Sequence, residues 1–353
     1  MNTYRIAVIA GDGIGKEVIP AGINVLNMAA EQGGFKLDFT ELPWGCDFYL
    51  KAGRMLDPDG VDQVLKYDAV YLGAIGDPRV ADHISARELI LPLRQRLRQY
   101  VNLRPMRLLN GITSPLANRG SADIDMICVR ENSEGEYCGI GGRLHAGTPQ
   151  ELAEQTGVFT RHGIERIARY AFKLAESRPR KMLASATKSN ALQHIMVLWD
   201  EVVADVAKEF PHVELRKYHV DALCARMVTH PQTLDVIVAS NLFGDILTDI
   251  GSAISGSLGV APGGNINPDR TTPSMFEPIH GSAPDIAGKG IANPIAAIWA
   301  GAMMLEHLGE RAAHDRILKA IEAVIADEKV RTPDLGGKAT TVDMTRAVTA
   351  AMH

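Results

Sequence analysis

The chain has 353 residues, of which 46% are hydrophobic and 22% are charged, proportions typical of a soluble globular protein with room for two domains. Its 37 basic and 42 acidic residues give a formal net charge of −5, which argues against nucleic acid or an anionic membrane as a partner. Four cysteines without metal-binding spacing, no signal-peptide pattern and no apolar run of transmembrane length predict a cytoplasmic protein with reduced thiols.

Strands and helices alternate along the chain, which predicts an α/β protein with largely parallel sheets. The sequence predicts strands at 6–10, 69–73, 101–103, 124–129, 181–186 and 234–240, and β-like stretches at 36–42 and 213–220. Helical spacing predicts helices from the glycine turn to about 30, over 88–100, 161–177, from near 191, and over 246–255, 294–308 and 314–327. The segment 251–264 is rich in glycine and carries no charge.

The first strand runs into Gly11-Asp-Gly-Ile-Gly15, which invites a dinucleotide-binding interpretation. However, its spacing is G-x-G-x-G, and no acidic residue ends an obvious second strand about 20 residues later. We therefore predict a structural tight turn here.

Two aspartates four residues apart, Asp245 and Asp249, follow the strand predicted at 234–240. Helical spacing would place both carboxylates on one face, one turn apart. A pair of this kind is usually a solvated helix face. Because the neighbours are Leu, Phe and Ile, where an unpaired charge is costly to bury, we interpret the pair as an oxygen site for Mg²⁺ or Mn²⁺.

Further polar side chains come at the predicted ends of strands and helices. Arginine suits bidentate binding of a carboxylate, and a lysine or aspartate at a strand end often faces the ligand crevice of an α/β protein. Surface charges, structural ion pairs and a packed aromatic are the alternatives. The candidates are Arg94, Arg104, Arg130, Tyr137, Lys188 and Asp221.

The segment from Glu277 to Pro294 is dense in glycine, proline and small residues. Such a loop lets backbone groups approach a ligand closely. Asp285 would suit a ribose diol and would repel a 2′-phosphate. A solvent loop would explain the composition but not the concentration of His, Asp and Asn in one glycine-rich stretch.

These segments, in this order, resemble the β-decarboxylating dehydrogenases, which include the isocitrate, isopropylmalate, homoisocitrate and tartrate/D-malate dehydrogenases. The resemblance extends from Gly11-Asp-Gly-Ile-Gly-Lys-Glu17 to Gly336-Gly-Lys-Ala-Thr-Thr341. It implies two domains with mixed sheets flanked by helices. The large domain would be discontinuous, from 1–102 plus 255–353, and the small domain, 103–254, would carry the dimer interface and the metal-binding aspartates.

The resemblance also implies the chemistry of a homodimer with shared active sites. It implies NAD and Mg²⁺ or Mn²⁺ as cofactors, leaves a monovalent cation such as K⁺ open, and makes the substrate a small 2-hydroxy acid. Tyr137 would protonate the product carbon, and Lys188 and Asp221 would come from the partner subunit. The other roles that it implies are substrate binding by Arg94, Arg104 and Arg130, metal binding by Asp221, Asp245 and Asp249, and cofactor binding by Glu277, His280, Gly281, Ser282, Ala283, Pro284, Asp285, Ile286 and Asn293.

The segments 129–145 and Asp82-His-Ile-Ser85 are most similar to the tartrate/D-malate branch, whereas Ala86-Arg87-Glu88 departs from it. In the family, this helix start meets the substituent at C3 of the substrate, so Ser85 and Arg87 are substrate-binding candidates. Arg87 could bind a further carboxylate, face solvent or pair with Glu88. A D-malate or tartrate type of substrate is the first expectation, and 3-isopropylmalate, homoisocitrate and isocitrate are the alternatives. A non-catalytic metabolite-binding relative would have lost site residues, and none is missing here.

Overall fold

The computed structural model describes all 353 residues of the chain. The strands are β1 (Thr3–Gly11), β2 (Lys36–Glu41), β3 (Ala69–Ala74), β4 (Val101–Arg107), β5 (Asp125–Glu131), β6 (Gly141–Leu144), β7 (Leu152–Gln155), β8 (Met182–Thr187), β9 (Glu214–His219), β10 (Val236–Ala239), β11 (Pro262–Ile266) and β12 (Ser274–Pro278). The helices are α1 (Gly15–Gly33), α2 (Cys46–Ala52), α3 (Gly60–Val64), α4 (Asp82–Ser85), α5 (Leu91–Arg96), α6 (Arg161–Ser177), α7 (Ile195–Ala207), α8 (Val220–Thr229), α9 (Asn241–Ile254), α10 (Ile295–Leu308), α11 (Arg311–Asp327) and α12 (Thr341–Ala350).

Ten strands form one continuous mixed sheet in the order β2-β1-β3-β12-β11-β4-β5-β10-β8-β9. Strand pairs are parallel towards both edges and antiparallel at the centre, where β11 pairs with β12 and β4, and β4 pairs with β5. The short strands β6 and β7 form a separate antiparallel hairpin. The sheet, with helices packed against it, confirms the predicted α/β class.

The core is organised around α10, in which every residue from 295 to 305 is buried. A helix that is apolar on all sides must be covered on all sides. It packs between the sheet strand β12 and the helices α1 and α11. No helix of the structure combines the length and apolar character needed to cross a lipid bilayer.

The two predicted domains occupy different halves of the sheet. Strands β1, β2, β3, β11 and β12 come from 1–102 and 255–353, whereas β5, β8, β9 and β10 come from 103–254. Strand β4 runs across the proposed boundary at 102, and one apolar cluster contains residues from both halves. The division into two domains stays a prediction.

Several predicted boundaries were wrong. The helix predicted over 88–100 begins at Asp82 and ends at Arg96, with a wide π-helical turn at Ala86–Ile90. Pro92 explains the wide turn, because proline cannot donate a helical hydrogen bond and its ring displaces the preceding turn. The helix predicted from near Ala191 begins at Ile195. The helix predicted over 246–255 begins five residues earlier, at Asn241, and ends at Ile254.

Candidate active site

Arg94, Arg104 and Arg130 converge around Asp245, a relationship that sequence spacing alone did not establish. Arg130 Nη1 lies 2.6 Å from Asp245 Oδ1, and Arg104 Nη1 lies 3.4 Å from the same oxygen. The charge of Arg94, on α5, also lowers the pKa of Asp245 and of Arg130. All three arginines are buried. Strands β4 and β5 and helices α5 and α9 therefore bring one carboxylate and three cations together.

The cluster has an excess of positive charge. Burial lowers the pKa of Arg130 to about 9, and the nearby charge of Arg104 contributes in the same direction. Burial opposes ionisation of Asp245, but Arg130 and Arg104 outweigh it and lower the pKa of that carboxyl. Asp245 and Glu277, which pairs with Arg94 Nη2 at 2.9 Å, offset two of the three guanidinium charges. An anion that entered the cluster would therefore be stabilised by bidentate, charge-assisted hydrogen bonds.

Tyr137 lies beside this cluster in the turn that follows β5. Its hydroxyl donates to Asp245 Oδ2 at 3.2 Å, and the guanidinium of Arg130 lies 5.6 Å from the ring centroid. Burial raises the pKa of Tyr137, and the negative charge of Asp245 adds to the shift. The phenol consequently stays protonated at neutral pH, so it can donate a proton.

Asp249 lies one turn beyond Asp245 on α9, as the sequence predicted, but it is exposed to solvent. The metal interpretation rested on burial of the two aspartates among apolar neighbours. In the structure, this burial is only partial. Burial and the neighbouring Asp245 together raise the pKa of Asp249, and a bound cation would relieve that repulsion. The two carboxylates suit Mg²⁺ or Mn²⁺ chemically, but no group of three acidic, histidine or cysteine side chains in the chain could hold a metal.

Lys188 and Asp221 pair with each other after the neighbouring strands β8 and β9. Lys188 Nζ lies 2.8 Å from Asp221 Oδ1, and this contact lowers the pKa of the Asp221 carboxyl. No hydrogen bond or ion pair joins either residue to the arginine cluster within the chain.

Ser85 and Arg87 lie on the helical segment before Arg94 but differ in their surroundings. Ser85 is buried and its hydroxyl donates to the carbonyl of Asp82. Arg87 is exposed, forms no ion pair with Glu88, and lines a cleft of about 600 Å³ between this segment and the hairpin of β6 and β7. The same cleft is lined by His83 and the hairpin glycines, not by Arg94.

The loop that follows β12 combines ordered and free polar groups. His280 Nε2 is buried without a partner, Asn293 donates to Asp334 at 2.9 Å, and the exposed Asp285 carboxylate has no partner in the chain. Ala283 has a left-handed backbone, with φ of 41°. The remaining predicted cofactor residues in this loop are Gly281, Ser282, Pro284 and Ile286, of which Ser282 is buried.

The opening glycine turn fixes this loop and is structural, as predicted. Ile14 N donates to the Ser282 carbonyl at 2.9 Å, and a side chain at Gly13 would overlap that carbonyl. The buried Asp12 carboxylate accepts hydrogen bonds from the backbone of Cys46 and Gly76. The glycines therefore allow β1 and α1 to approach the loop closely.

Sequence analysis missed several polar residues that hold the site. Asn241 Oδ1 accepts from two nitrogens of Arg130, at 2.7 and 3.1 Å, and Thr248 Oγ1 accepts from Arg104 at 2.7 Å. Glu277, predicted to bind cofactor, is buried on β12 and accepts from Arg94 Nη2 at 2.9 Å. The available signal was the placement of Glu277 inside an otherwise apolar, buried strand and of Asn241 directly after another such strand.

The chain belongs to the isocitrate/isopropylmalate dehydrogenase family, whose model matches residues 5–348. This confirms both the resemblance and the fold class, and it identifies the protein as a decarboxylating dehydrogenase. It is 54% identical to a probable tartrate dehydrogenase/decarboxylase of Agrobacterium vitis, covering 100% of this chain and 98% of the relative. It is also 54% identical to the D-malate dehydrogenase [decarboxylating] of Escherichia coli (strain K12), covering 99% and 98%.

A tartrate dehydrogenase/decarboxylase of Pseudomonas putida is 51% identical over 98% of this chain and 97% of its own. Among solved structures, isocitrate dehydrogenase from Methylococcus capsulatus superposes with a TM-score of 0.89 at 38% identity, covering 99% of each chain. The expected similarity to the tartrate/D-malate branch is thus confirmed.

Proposed function

We propose that the protein catalyses the NAD-dependent, divalent-metal-dependent oxidative decarboxylation of a 2-hydroxy dicarboxylic acid of the D-malate or tartrate type. The observation that carries this proposal is the convergence of Arg94, Arg104 and Arg130 with Tyr137 around Asp245. A cluster of this charge fits an anionic substrate, and a protonated phenol beside it fits the protonation of a carbanionic product. The relatives named for tartrate and D-malate support that substrate class.

Each side chain has a separate task in this scheme. The arginines bind and orient the substrate carboxylate, and Asp245 and Asp249, with Asp221 of a second copy, would hold Mg²⁺ or Mn²⁺. The chemistry supplied by the bound groups is hydride acceptance at C4 of the nicotinamide and polarisation of the C2 oxygen. Lys188 of the second copy accepts the hydroxyl proton as the C2–H bond breaks.

The resulting 2-oxo acid carries a second carboxylate β to the new carbonyl, which leaves as CO₂. Its bonding electrons pass to the enolate, and Tyr137 then donates the phenolic proton to the carbon from which CO₂ departed. The raised pKa of Tyr137 favours the protonated form before this step. Exchange of a proton with solvent restores the phenol.

Asp285 supports NAD over NADP as the cofactor. Its carboxylate is exposed and without a partner in the chain, so it can accept two hydrogen bonds from the ribose hydroxyls. A 2′-phosphate at the same position would meet this negative charge and be repelled. Ile286 adds no positive charge beside it. His280 and Asn293 would contact the adenosine half from the same loop.

A homodimer is the assembly that we propose, in the cytoplasm that the sequence predicts. The hairpin of β6 and β7 has no third strand, and a two-stranded ribbon is marginally stable alone. It exposes Ile140, Leu144 and Leu152 by 54%, 60% and 55%. Pairing with a second copy would cover them, and the same assembly would bring Lys188 and Asp221 of one copy to the aspartate pair of the other.

The test is NADH formation with Mn²⁺ or Mg²⁺ across D-malate, tartrate, 3-isopropylmalate, isocitrate and homoisocitrate. Preference for D-malate or tartrate supports the proposal as stated. Preference for isocitrate or homoisocitrate would instead mean that Arg87 binds a third carboxylate of the substrate. Preference for 3-isopropylmalate would mean that the substituent at C3 is apolar. Absence of turnover with every substrate, together with normal folding, would contradict the proposed reaction.

A further inference from the structure

A buried network of side-chain amides extends from Arg94 across the central strands β12, β11 and β4. Arg94 Nη2 donates to Glu277 Oε1, which also accepts from Asn265 Nδ2 at 2.7 Å. Asn265 Oδ1 in turn accepts from Asn102 Nδ2 at 2.8 Å and from Asn132 Nδ2 at 2.9 Å. None of the three asparagines is more than 1% exposed. The predicted roles of the site residues do not use these amides.

The position of Asn265 at the centre of the network follows from the strand register. It lies opposite Asn102 in the β11–β4 pair, and Asn102 lies opposite Arg130 in the β4–β5 pair. Directly opposed residues of antiparallel strands have side chains on the same face of the sheet. Asn265 therefore lies in one cross-strand row with Arg130, while its amide nitrogen reaches towards the partner of Arg94.

Only an amide satisfies both sides of this position. Asn265 donates to a carboxylate through Nδ2 and accepts from two amides through Oδ1, so neither a carboxylate nor an aliphatic side chain can replace it. Burial of several polar groups is not needed for stability, because an apolar core serves that purpose as well. The Asn265 amide instead has partners on both its oxygen and its nitrogen, and a side chain held in this way specifies one geometry for the groups attached to it.

We infer that Asn265 is a positioning residue that acts through Glu277 to fix the orientation of the Arg94 guanidinium relative to Arg130. This orientation sets the affinity for the substrate carboxylate. Arg94 has one nitrogen committed to Glu277, and its Nη1 makes no hydrogen bond within the chain. If the Glu277 carboxylate turned, the direction of the remaining donors would turn with it. The inference rests on the proposed function, since it concerns the substrate of that same site.

The experiment compares Asn265→Leu with the matched variant Asn267→Leu. Asn267 is also fully buried, two residues further along the chain, but it donates to Thr271 and Thr272 and has no contact with the network. We expect Asn265→Leu to raise KM for the substrate by about 10-fold or more, the usual effect of losing a buried hydrogen bond to a charged group. Asn267→Leu should leave the substrate KM within about 2-fold of the wild type.

A double-mutant cycle tests whether Asn265 acts through Arg94. In an Arg94→Lys background, adding Asn265→Leu should change the substrate KM by less than about 2-fold, because the oriented fork is already lost. An unreduced effect in that background, or equal effects of the two leucine variants, would overturn the inference.

Asn265→Asp provides a second variant if the leucine variant does not fold. Glu277 and Arg94 are the charged members of the network, and the new carboxyl can donate to Glu277 only while it is protonated. The substrate KM of this variant should rise with pH on a limb that the wild type lacks, and a pH profile parallel to that of the wild type would contradict the inference.

Calorimetric titration with malonate, a dicarboxylate that cannot be oxidised at C2, separates this inference from the proposed reaction. Asn265→Leu should weaken malonate binding by about 10-fold relative to both the wild type and Asn267→Leu. That outcome would support the positioning role even if the wild type turned over no substrate, a result that would count against the proposed function alone. Equal malonate affinity in all three proteins would overturn the positioning role even if the enzyme were active.

Discussion

Asp245 and Asp249 are one helical turn apart on α9, yet their pKa values shift in opposite directions. Burial acts to raise both, but Arg130 and Arg104 lower the pKa of Asp245, whereas Asp245 itself adds to the rise at Asp249. Asp245 is thus neutralised by side chains of its own chain. Asp249 makes no hydrogen bond or ion pair within the chain, so its removal breaks few contacts of the folded state.

Asp249→Asn should therefore reduce kcat/KM by at least about 100-fold while leaving the melting temperature nearly unchanged. Even residues that only orient a metal ligand change activity by about 10–100-fold, and a direct ligand should have a larger effect. The measurement is NADH formation at saturating Mn²⁺, with Asp205→Asn, an exposed helical aspartate of α7, as the control. Chelation of divalent ions should abolish activity in the wild type. Wild-type turnover in the Asp249 variant would contradict the metal assignment.

Tyr137 offers a different test, because its task falls late in the reaction. The raised pKa keeps its phenol protonated across the neutral range. Tyr137→Phe retains the ring that packs beside Arg130 but has no proton to donate, so kcat should fall by about 10²–10⁴-fold with little change in the substrate KM. Tyr170→Phe, a partly buried tyrosine of α6 whose hydroxyl makes no hydrogen bond, is the control. An unchanged kcat would make Tyr137 a packing residue.

At the scale of elements, apolar periodicity predicted what is regular and local. Helix α6 was predicted with the bounds that it has, and the strands β1, β3, β8 and β10 were found because they are largely apolar runs. Strands β11 and β12 were missed, since Pro262-Gly-Gly-Asn-Ile266 has the composition of a turn and becomes a strand only through its neighbours in the sheet. Helix α12 carried a readable signal, a capping box between Thr340 and Asp343, that was not used.

The sequence named candidate residues for the site but did not predict how they are arranged. Asp245 and Tyr137 could be chosen as candidates from their local patterns. Their contact depends on the order of the strands, which places β5 between β4 and β10 and so brings α9 across both. A local pattern carries no information on that order. The hydrogen-bond partners Asn241 and Glu277 were hidden for the same reason.

The geometry of the helical segment before Arg94 determines which side chain faces the cleft beside the β6–β7 hairpin. Because the π-helical turn shifts the register between the two arginines, Arg87 faces the cleft while Arg94 faces the cluster. Arg87→Leu should change the ranking of substrates that differ at C3 and leave the KM for NAD within about 2-fold. Arg96→Leu, which removes an exposed arginine of the same segment, is the control. An unaltered ranking would make Arg87 a bystander.

The loop after β12 should determine whether the enzyme uses NAD or NADP. Asp285→Lys combined with Ile286→Tyr replaces a negative charge with a positive one and adds a hydroxyl where a 2′-phosphate would lie. The ratio of kcat/KM values for NADP and NAD should rise by about 100-fold or more, since the change removes a repulsion and adds an attraction. The two cofactors are compared at saturating substrate. An unchanged ratio would contradict the assignment of this loop to the adenosine ribose.

At the scale of the whole molecule, the proposed site draws on two copies of the chain. The arginine cluster gathers around Asp245, and Lys188 and Asp221 pair with each other without a hydrogen bond or ion pair to that cluster. A twofold dimer would complete two equivalent sites, because each copy would supply what the other lacks. The hairpin, with its exposed leucines and isoleucine, is the surface that we propose for that assembly.

Mixing two inactive variants tests the shared site directly. Asp249→Asn and Lys188→Ala should each be inactive as homodimers. After subunit exchange at equal amounts, about half of the dimers are mixed, and each mixed dimer has one site free of both substitutions, so activity should recover to about a quarter of wild type. A mixture of Asp245→Asn and Asp249→Asn is the matched control, because both residues belong to the same copy's half of the site and no intact site can form. Equal lack of recovery in the two mixtures, with exchange verified by mass spectrometry, would show that each chain forms its site alone.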